Sequence, residues 1–551
     1  MKKINIKQIL VAGCVCCGIA AVFTACADWD DHYGDSTSDS NGGVTLWQQM
    51  QSEPQLSDFC KVLEETKVFR MHKKTVVSYA DLLNSGQSFT VVAPVNGSFN
   101  RDSLLQLVQT NQGDSLVEKF FVFNHLSRSA TSVKAEMQTM RMLNSKNVVL
   151  GGTTIQGVTT IDVNKHSRNG VLHIVAKPLP YLYNLYESLC DIPEMSAIGN
   201  LLRLYDEDYF DADASVSSGI VEGVPVYVDS VIIERNRLLQ QIGLINAEDS
   251  TYWMVAPTSA GWQKVFNKAT KYFVYDANVN KRDSIQQYWT MRALLDDAIF
   301  NMTDQKSVDA TQDSIVSVPY IKWRKTYVAG KPVLHVFRNP FKAGGIFDGA
   351  REVACSNGKL YQVDEWPFTP EQTFFQPLWS EGEKTDLIIS SETKDCTYNI
   401  RREVADSISD NSYLQIVPSS GTSNWNLTFR VNNNLAGHYD IGVVVLPKAV
   451  SNQYNPDMRP CKFRANVNYV DVDGNEQSFN CNKTAFESDP AKVDTIWIAP
   501  DFELPVCNYD QKDIKLTVKL QCYISSKETS KFAREMYLDC IYLRPRISKA
   551  E

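Results

Sequence analysis

The 551-residue chain is notable first for the catalytic signatures it does not carry. It has no G-x-S-x-G nucleophile turn, no H-E-x-x-H pair, no P-loop, no EF-hand loop and no G-x-G-x-x-G after a strand. These absences remove the common signatures of hydrolytic, zinc-dependent and nucleotide-dependent chemistry. Acidic residues are plentiful, yet nothing marks two of them as a facing general acid and base. A formal charge of −9 without a basic cluster argues against nucleic acid as a partner. Of 13 cysteines, Cys14, Cys16 and Cys17 lie in the first 25 residues. Among those beyond Cys26 no C-x-x-C pair occurs, so zinc-ribbon and dithiol redox sites are not expected. Nine scattered thiols read as free, buried side chains, with room for one bridge in the C-terminal third. No metal, no cofactor and no enzymatic activity are expected.

Long apolar runs are scarce too, apart from one at the start. Lys2, Lys3 and Lys7 precede the uncharged stretch Ile9 to Phe23, which ends in Phe23-Thr-Ala-Cys26. At 15 residues it is short for a membrane span of about 20. Residues 1–25 therefore read as a cleaved signal peptide, and their loss takes the formal charge from −9 to −12. The segment resembles bacterial lipoprotein signals, which implies a lipid on Cys26 and an outer-membrane location. Residues 26–43 hold five aspartates, three glycines and no base, a composition that reads as a solvated tether. Asp28, Asp30 and Asp31 resemble the acidic export signal of surface-exposed lipoproteins in Bacteroides-type bacteria, so the cell surface is the expected face.

Beyond the tether the chain repeats itself. Phe89-Thr-Val-Val-Ala-Pro94 returns as Tyr252-Trp-Met-Val-Ala-Pro257, each followed by an aromatic, Phe99 or Trp262. Leu46-Trp47…Pro54-Gln-Leu-Ser57 returns from Leu185, and Asn169-Gly-Val-Leu-His-Ile-Val175 returns from Asn357. Three matches in one order mean an internal duplication, the second copy enlarged by two insertions. Each core run reads as a buried strand stopped by proline. Asn96 and either Thr258 or Ser259 are the expected caps of the helices that follow. Ser115 to Glu118 reads as a capping box, and the Asn-Gly pairs as tight turns. The insertion around residues 217–228 reads as a hairpin, and the one around Gly330–Gly349 as a binding loop or an aromatic arm packed on the neighbouring domain, the latter preferred. His125 and His173 read as core histidines, because no carboxylate or cysteine sits at ligand spacing.

These motifs resemble the fasciclin domain, in the opening helix Leu46–Ser57, the core Phe89–Phe99, the pair Asn124-His125 and the ending Asn169–Pro180. The resemblance implies α+β domains at 44–180 and 181–369, and a role in adhesion or extracellular contact. From 372 to 551 the pattern becomes short alternating runs, such as Trp425–Val431, Tyr439–Leu446 and Tyr537–Leu543, the mark of an antiparallel β-sandwich. Gly437-His-Tyr-Asp-Ile-Gly442 and the final Leu538–Pro545 resemble the galactose-binding-like jelly roll of carbohydrate-binding modules. Trp425 and Tyr454 are then the loop-adjacent stacking candidates.

The expected molecule is multidomain, two α+β fasciclin-like domains followed by an all-β sandwich. It would be a non-enzymatic surface lipoprotein, held to the membrane by lipid, with a polysaccharide or protein ligand. The alternatives are a glycan-active hydrolase with an accessory sandwich and a structural partner of an outer-membrane uptake complex. A cut before Gln372 is expected to leave two independently folding pieces.

Overall fold

A computed structural model divides the chain into two compact units, Met1–Tyr181 and Leu182–Glu551. It describes residues 43–547 except 71–72, 222–223, 304–312, 318–326, 329–330, 333–334, 390–392, 404–407, 451–456, 482–483 and 514. The stretch read as a signal peptide, most of the expected tether with Cys26, and Tyr454 lie outside the described residues. Among those described, no helix is long and apolar enough to cross a membrane.

In the first unit, helices Leu46–Gln51 and Ser57–Glu65 flank Pro54 as expected, and Leu46, Met50, Phe59, Val62 and Leu63 are fully buried. The strand Phe89–Pro94 runs parallel to Gly170–Val175, in register from Phe89↔Gly170 to Pro94↔Val175. Leu126–Ser127 flanks it on one side, and Val158–Ser167 continues the seven-stranded sheet on the other. Alternation sends Val91 and Ala93 to the helices and Val92 to Val148, Leu150 and Val158, so the strand is covered on both faces.

The second unit begins with the same arrangement. Tyr252–Pro257 runs parallel to Gly358–Val363 from Tyr252↔Gly358 to Pro257↔Val363, flanked by Ile299–Asn301 and Arg351–Cys355. The Asn-Gly pairs do more than turn the chain. Asn169 Oδ1 accepts from Leu46 N at 2.7 Å, and its amide donates to the Leu83 and Ser85 carbonyls at 2.9 Å each. Asn357 likewise takes Leu185 N at 3.0 Å and donates to Ile245 and Ala247. Gly170 (φ 150°) and Gly358 (φ 147°) follow, each where a Cβ would strike the carbonyl of the first core-strand residue.

Three local expectations are corrected. Asn96 does not cap the helix after it, which starts at Arg101 under Asn100. Its Oδ1 instead accepts from Asp58 N at 2.9 Å, across the domain at the start of Ser57–Glu65. In the second unit Ser259 does the same for Ala197 N at 3.2 Å, while Thr258 caps its own helix. The helix expected from Ser115 begins at Asn111 under Thr110, and Glu118 is buried against Tyr79 Oη at 2.5 Å. In the described part of the 330–349 arm, residues 335–349 pack on their own sheet rather than a neighbouring domain, with Phe347 stacked on Tyr361 at 4.1 Å and Phe337 edge-on to Phe300. The other insertion is the expected hairpin, Asp206–Val221 with Val224–Asn236.

The sandwich has two antiparallel sheets. One orders Cys396–Arg402, Ser412–Pro418, Met536–Arg546, Gly437–Val445 and Asp494–Leu504, with Leu378–Glu381 also on Met536–Arg546. The other orders Asn426–Arg430, Thr517–Cys522, Lys462–Val470 and Glu476–Asn480. Its core does not close at residue 372. One continuous apolar cluster runs from Leu185 through Phe273 and Phe375 to Leu543. Tyr272 meets Phe375 at 4.7 Å, Trp289 meets Tyr509 at 4.7 Å, and buried Asp276 pairs with Lys515 at 3.1 Å. The expected independence of the 372–551 piece is therefore not what the packing provides.

Candidate functional site

The outward face of the first sandwich sheet carries a row of aromatic rings. Trp379 lies directly opposite Tyr542, Tyr542 opposite Gly442, and Gly442 opposite Trp497, so four neighbouring strands contribute one position each. Alternation explains the row: Ile541 and Leu543 point into the core, and Tyr542 between them must point out. Ile496 and Ile498 place Trp497 outward in the same way. Trp379 is 42% exposed, and Tyr542 and Trp497 are half-buried. Ring centroids lie 5.5 Å apart for Trp379–Tyr542 and 6.0 Å for Tyr542–Trp497, although a whole strand separates the second pair. Gly442 makes that reach possible. A Cβ there would sit 3.1 Å from Trp497 Cε3 and 2.9 Å from Thr495 Cγ2, in the space the indole occupies.

A charged group completes the face. The Arg544 guanidinium lies 4.3 Å from the Trp497 ring centroid, within cation–π range. Arg544 and Arg546 each donate to the buried Asp440 carboxylate at 2.6 Å, and Asp501 N donates to it at 3.0 Å. Burial pushes the Asp440 carboxyl upward, but the hydrogen bonds from Arg546 and Arg544 outweigh it and hold it below the ordinary range. The result is a fixed apolar platform with oriented guanidinium donors at one end, which suits a flat, hydroxyl-rich ligand.

The residues expected from sequence lie elsewhere. Trp425 is fully buried, its Nε1 donating to the Arg534 carbonyl at 2.6 Å, so neither face of its ring is offered to a ligand. That corrects its assignment as a stacking residue. Tyr454 and Cys26 fall outside the described residues. His125 and His173 are core histidines as expected. His125 Nδ1 donates to the Phe121 carbonyl at 2.7 Å and its Nε2 accepts from Leu179 N at 3.0 Å. Burial holds its pKa down to about 4, so the ring stays neutral. His173 accepts from Asn164 N and donates to the Thr131 carbonyl. All nine described cysteines are free, and burial pushes the thiols of Cys60, Cys481 and Cys507 up to about 12.

A buried polar group in the second unit joins Asp297 to His335 at 2.5 Å and to Ser317 at 2.6 Å. Both partners engage the carboxylate, whereas a nucleophilic triad would place the serine on the histidine. Among the described residues no group of histidine, cysteine, aspartate or glutamate is arranged to hold a metal ion.

The aromatic row was missed because sequence reasoning looked to loops. The signal for it is the outward register of Trp497 and Tyr542 within alternating strands.

Comparison with known proteins bears on both parts of the molecule. No curated protein matches the chain. Solved structures similar to it include the CBM22-1–GH10 modules of Clostridium thermocellum endo-1,4-beta-D-xylanase 10B complexed with xylohexaose. That likeness has 11% identity, 31% of this chain covered and a TM-score of 0.22. The chain covers only 28% of that structure's length. The CBM22-1 xylan-binding domain of Paenibacillus barcinonensis Xyn10C is similar at 14% identity, over 32% of this chain and 95% of the domain, with a TM-score of 0.21. A family 35 carbohydrate-binding module from Clostridium thermocellum is similar at 11% identity, over 31% and 99% of the two chains, with a TM-score of 0.19. These neighbours are carbohydrate-binding-module β-sandwiches, and at such scores the likeness carries no argument about ligand. The family comparison is specific to the first unit: residues 56–180 match the fasciclin domain, and a fasciclin domain is what that part of the chain contains.

Proposed function

We propose that the protein is a non-enzymatic, lipid-anchored protein of the outer-membrane surface that holds extracellular polysaccharide on its sandwich. The carrying observation is the Trp379–Tyr542–Trp497 row on an open sheet face, with Arg544 beside Trp497. Aromatic faces present apolar area to the C–H face of a sugar, while guanidinium donors meet its hydroxyls. In this reading residues 181–369 form a second fasciclin domain. The shared strand order and the matched anchors of Asn169 and Asn357 support it. The fasciclin pair then serves as the adhesive arm, and the sandwich as the glycan reader.

The test is a polysaccharide screen with the mature chain, xylan included, followed by substitution of the row. Trp379→Ala and Trp497→Ala are each expected to weaken binding about tenfold, which corresponds to ~1.4 kcal/mol. Far-ultraviolet circular dichroism and the thermal midpoint must stay unchanged beside that loss. Full affinity in both variants removes the face as the site, and turnover of the bound glycan moves the protein to the hydrolase class. The anchoring part is tested separately: Cys26→Ala should release the protein from the membrane fraction, and retention after a carbonate wash would sink it.

A further inference from the structure

The first unit holds a cavity of about 740 Å³ that the sandwich reading does not use. It lies between the edge strand Leu126–Ser127, the short helix Tyr79–Leu83 and the strand Lys67–Arg70. One part of its wall is apolar, made of Phe69, Leu82, Phe89, Phe123 and Leu143, with Tyr79 edge-on to Phe123 at 6.2 Å. The volume falls in the range of small-molecule sites.

Several of the polar groups around it are already engaged. The Tyr79 hydroxyl donates to Glu118 at 2.5 Å, and Glu118 also accepts from Phe69 N at 2.9 Å. Ser127 Oγ donates to the Arg141 carbonyl at 2.6 Å, and Ser129 Oγ pairs with Thr131 at 2.8 Å. Beside the uncharged Gln87 and Ser145, the ionised groups that line it are the guanidiniums of Arg128 and Arg141. Both side chains line the cavity and are exposed, and neither has a carboxylate partner among the described residues. No acidic side chain lines the cavity. A pocket with an apolar wall whose ionised lining groups, among the described residues, are two arginines selects for charge as well as for shape.

We propose that this cavity binds an amphipathic carboxylate, its alkyl chain among the phenylalanines and its carboxylate at the rim on Arg128 and Arg141. Guanidinium matches a carboxylate through two parallel N–H···O bonds, and two such groups on one rim fix where the head must lie. An uncharged chain of the same length would bury the same area and leave both cations unused. A cationic chain would meet like charge at the mouth.

The experiment is a calorimetric titration of the mature chain with sodium decanoate below its micelle concentration. Decanol, decyltrimethylammonium, decyl phosphate and sodium acetate serve as comparison ligands. One decanoate per chain is expected, with decanol at least tenfold weaker, and decyltrimethylammonium and acetate without measurable binding. The Arg128→Gln/Arg141→Gln variant should lose at least tenfold in decanoate affinity and keep its decanol affinity. Trp497→Ala should leave decanoate binding intact, which separates this cavity from the sandwich face. Equal affinity for decanoate and decanol overturns the proposal, as does an unchanged double variant. Binding of decyl phosphate without decanoate overturns the carboxylate assignment.

Discussion

Trp425 and Trp497 both belong to short alternating runs, yet one is fully buried and the other half-buried on the outward face. What separates them is the strand across the sheet: Gly442 opens space over which Trp497 lies, while Trp425 reaches the Arg534 carbonyl inside the sandwich. Glu383 shows how strongly such surroundings act on one group. Burial, reinforced by nearby Glu381 and Asp410, pushes its carboxyl up to about 7. In the unfolded chain an ordinary glutamate titrates near 4.3. The folded state thus binds the proton more tightly, and this contribution is complete at low pH and lost as pH rises through that window to about 7. Glu383→Gln, which cannot ionise, should therefore raise the thermal midpoint of the second unit at pH 7.5 by ~2 °C and leave it little changed at pH 4.5. An equal shift at both pH values would show that the carboxylate's charge is not the cause.

At the scale of elements, the two core strands are held by side chains far away in sequence. Asn169 ties the opening helix to the loop before Phe89, and Asn357 does so in the second unit. Leu46 N and the Leu83 carbonyl, like Leu185 N and the Ile245 carbonyl, are buried, so deleting the amide strands them. Asn169→Ala should destabilise the first unit by roughly 3 kcal/mol, read from denaturant midpoints at unchanged slope. Asn357→Ala should act comparably on the second unit. A loss under ~1 kcal/mol would mean that water replaces these bonds. The repeated Asn-Gly pairs were visible in the sequence as turns. Their anchoring was not, because local spacing carries no information about a partner 123 residues away.

On the scale of the whole molecule, the second unit behaves as one packed body through residue 372. Asp276 and Lys515 form its most exacting joint, a fully buried carboxylate against an ammonium from the sandwich. Removing one partner leaves the other charged and buried, so Lys515→Met should cost about 3–5 kcal/mol. The fragment 182–551 should melt in a single transition, while 372–551 alone, with Phe375, Tyr439 and Tyr509 stripped of their cover, should fail to give a cooperative melt. A sharp melt of the short fragment at the midpoint of the longer one would refute this.

By itself the sequence determined the periodic features: two buried core strands ending in proline, the helices around Pro54, the inserted hairpin and the alternating runs of the sandwich. Each follows from local patterning, since burial of a repeating face needs only the residues of that segment. The tertiary structure decided what depends on pairing at a distance. It turned Asn96 and Ser259 into caps for helices across their domains, put Trp425 inside, brought Trp379, Tyr542 and Trp497 into one row, and left Arg128 and Arg141 together at the rim of an apolar cavity. The physical reason is that register and contact between strands distant in sequence set which face a residue takes, and a one-residue shift reverses it.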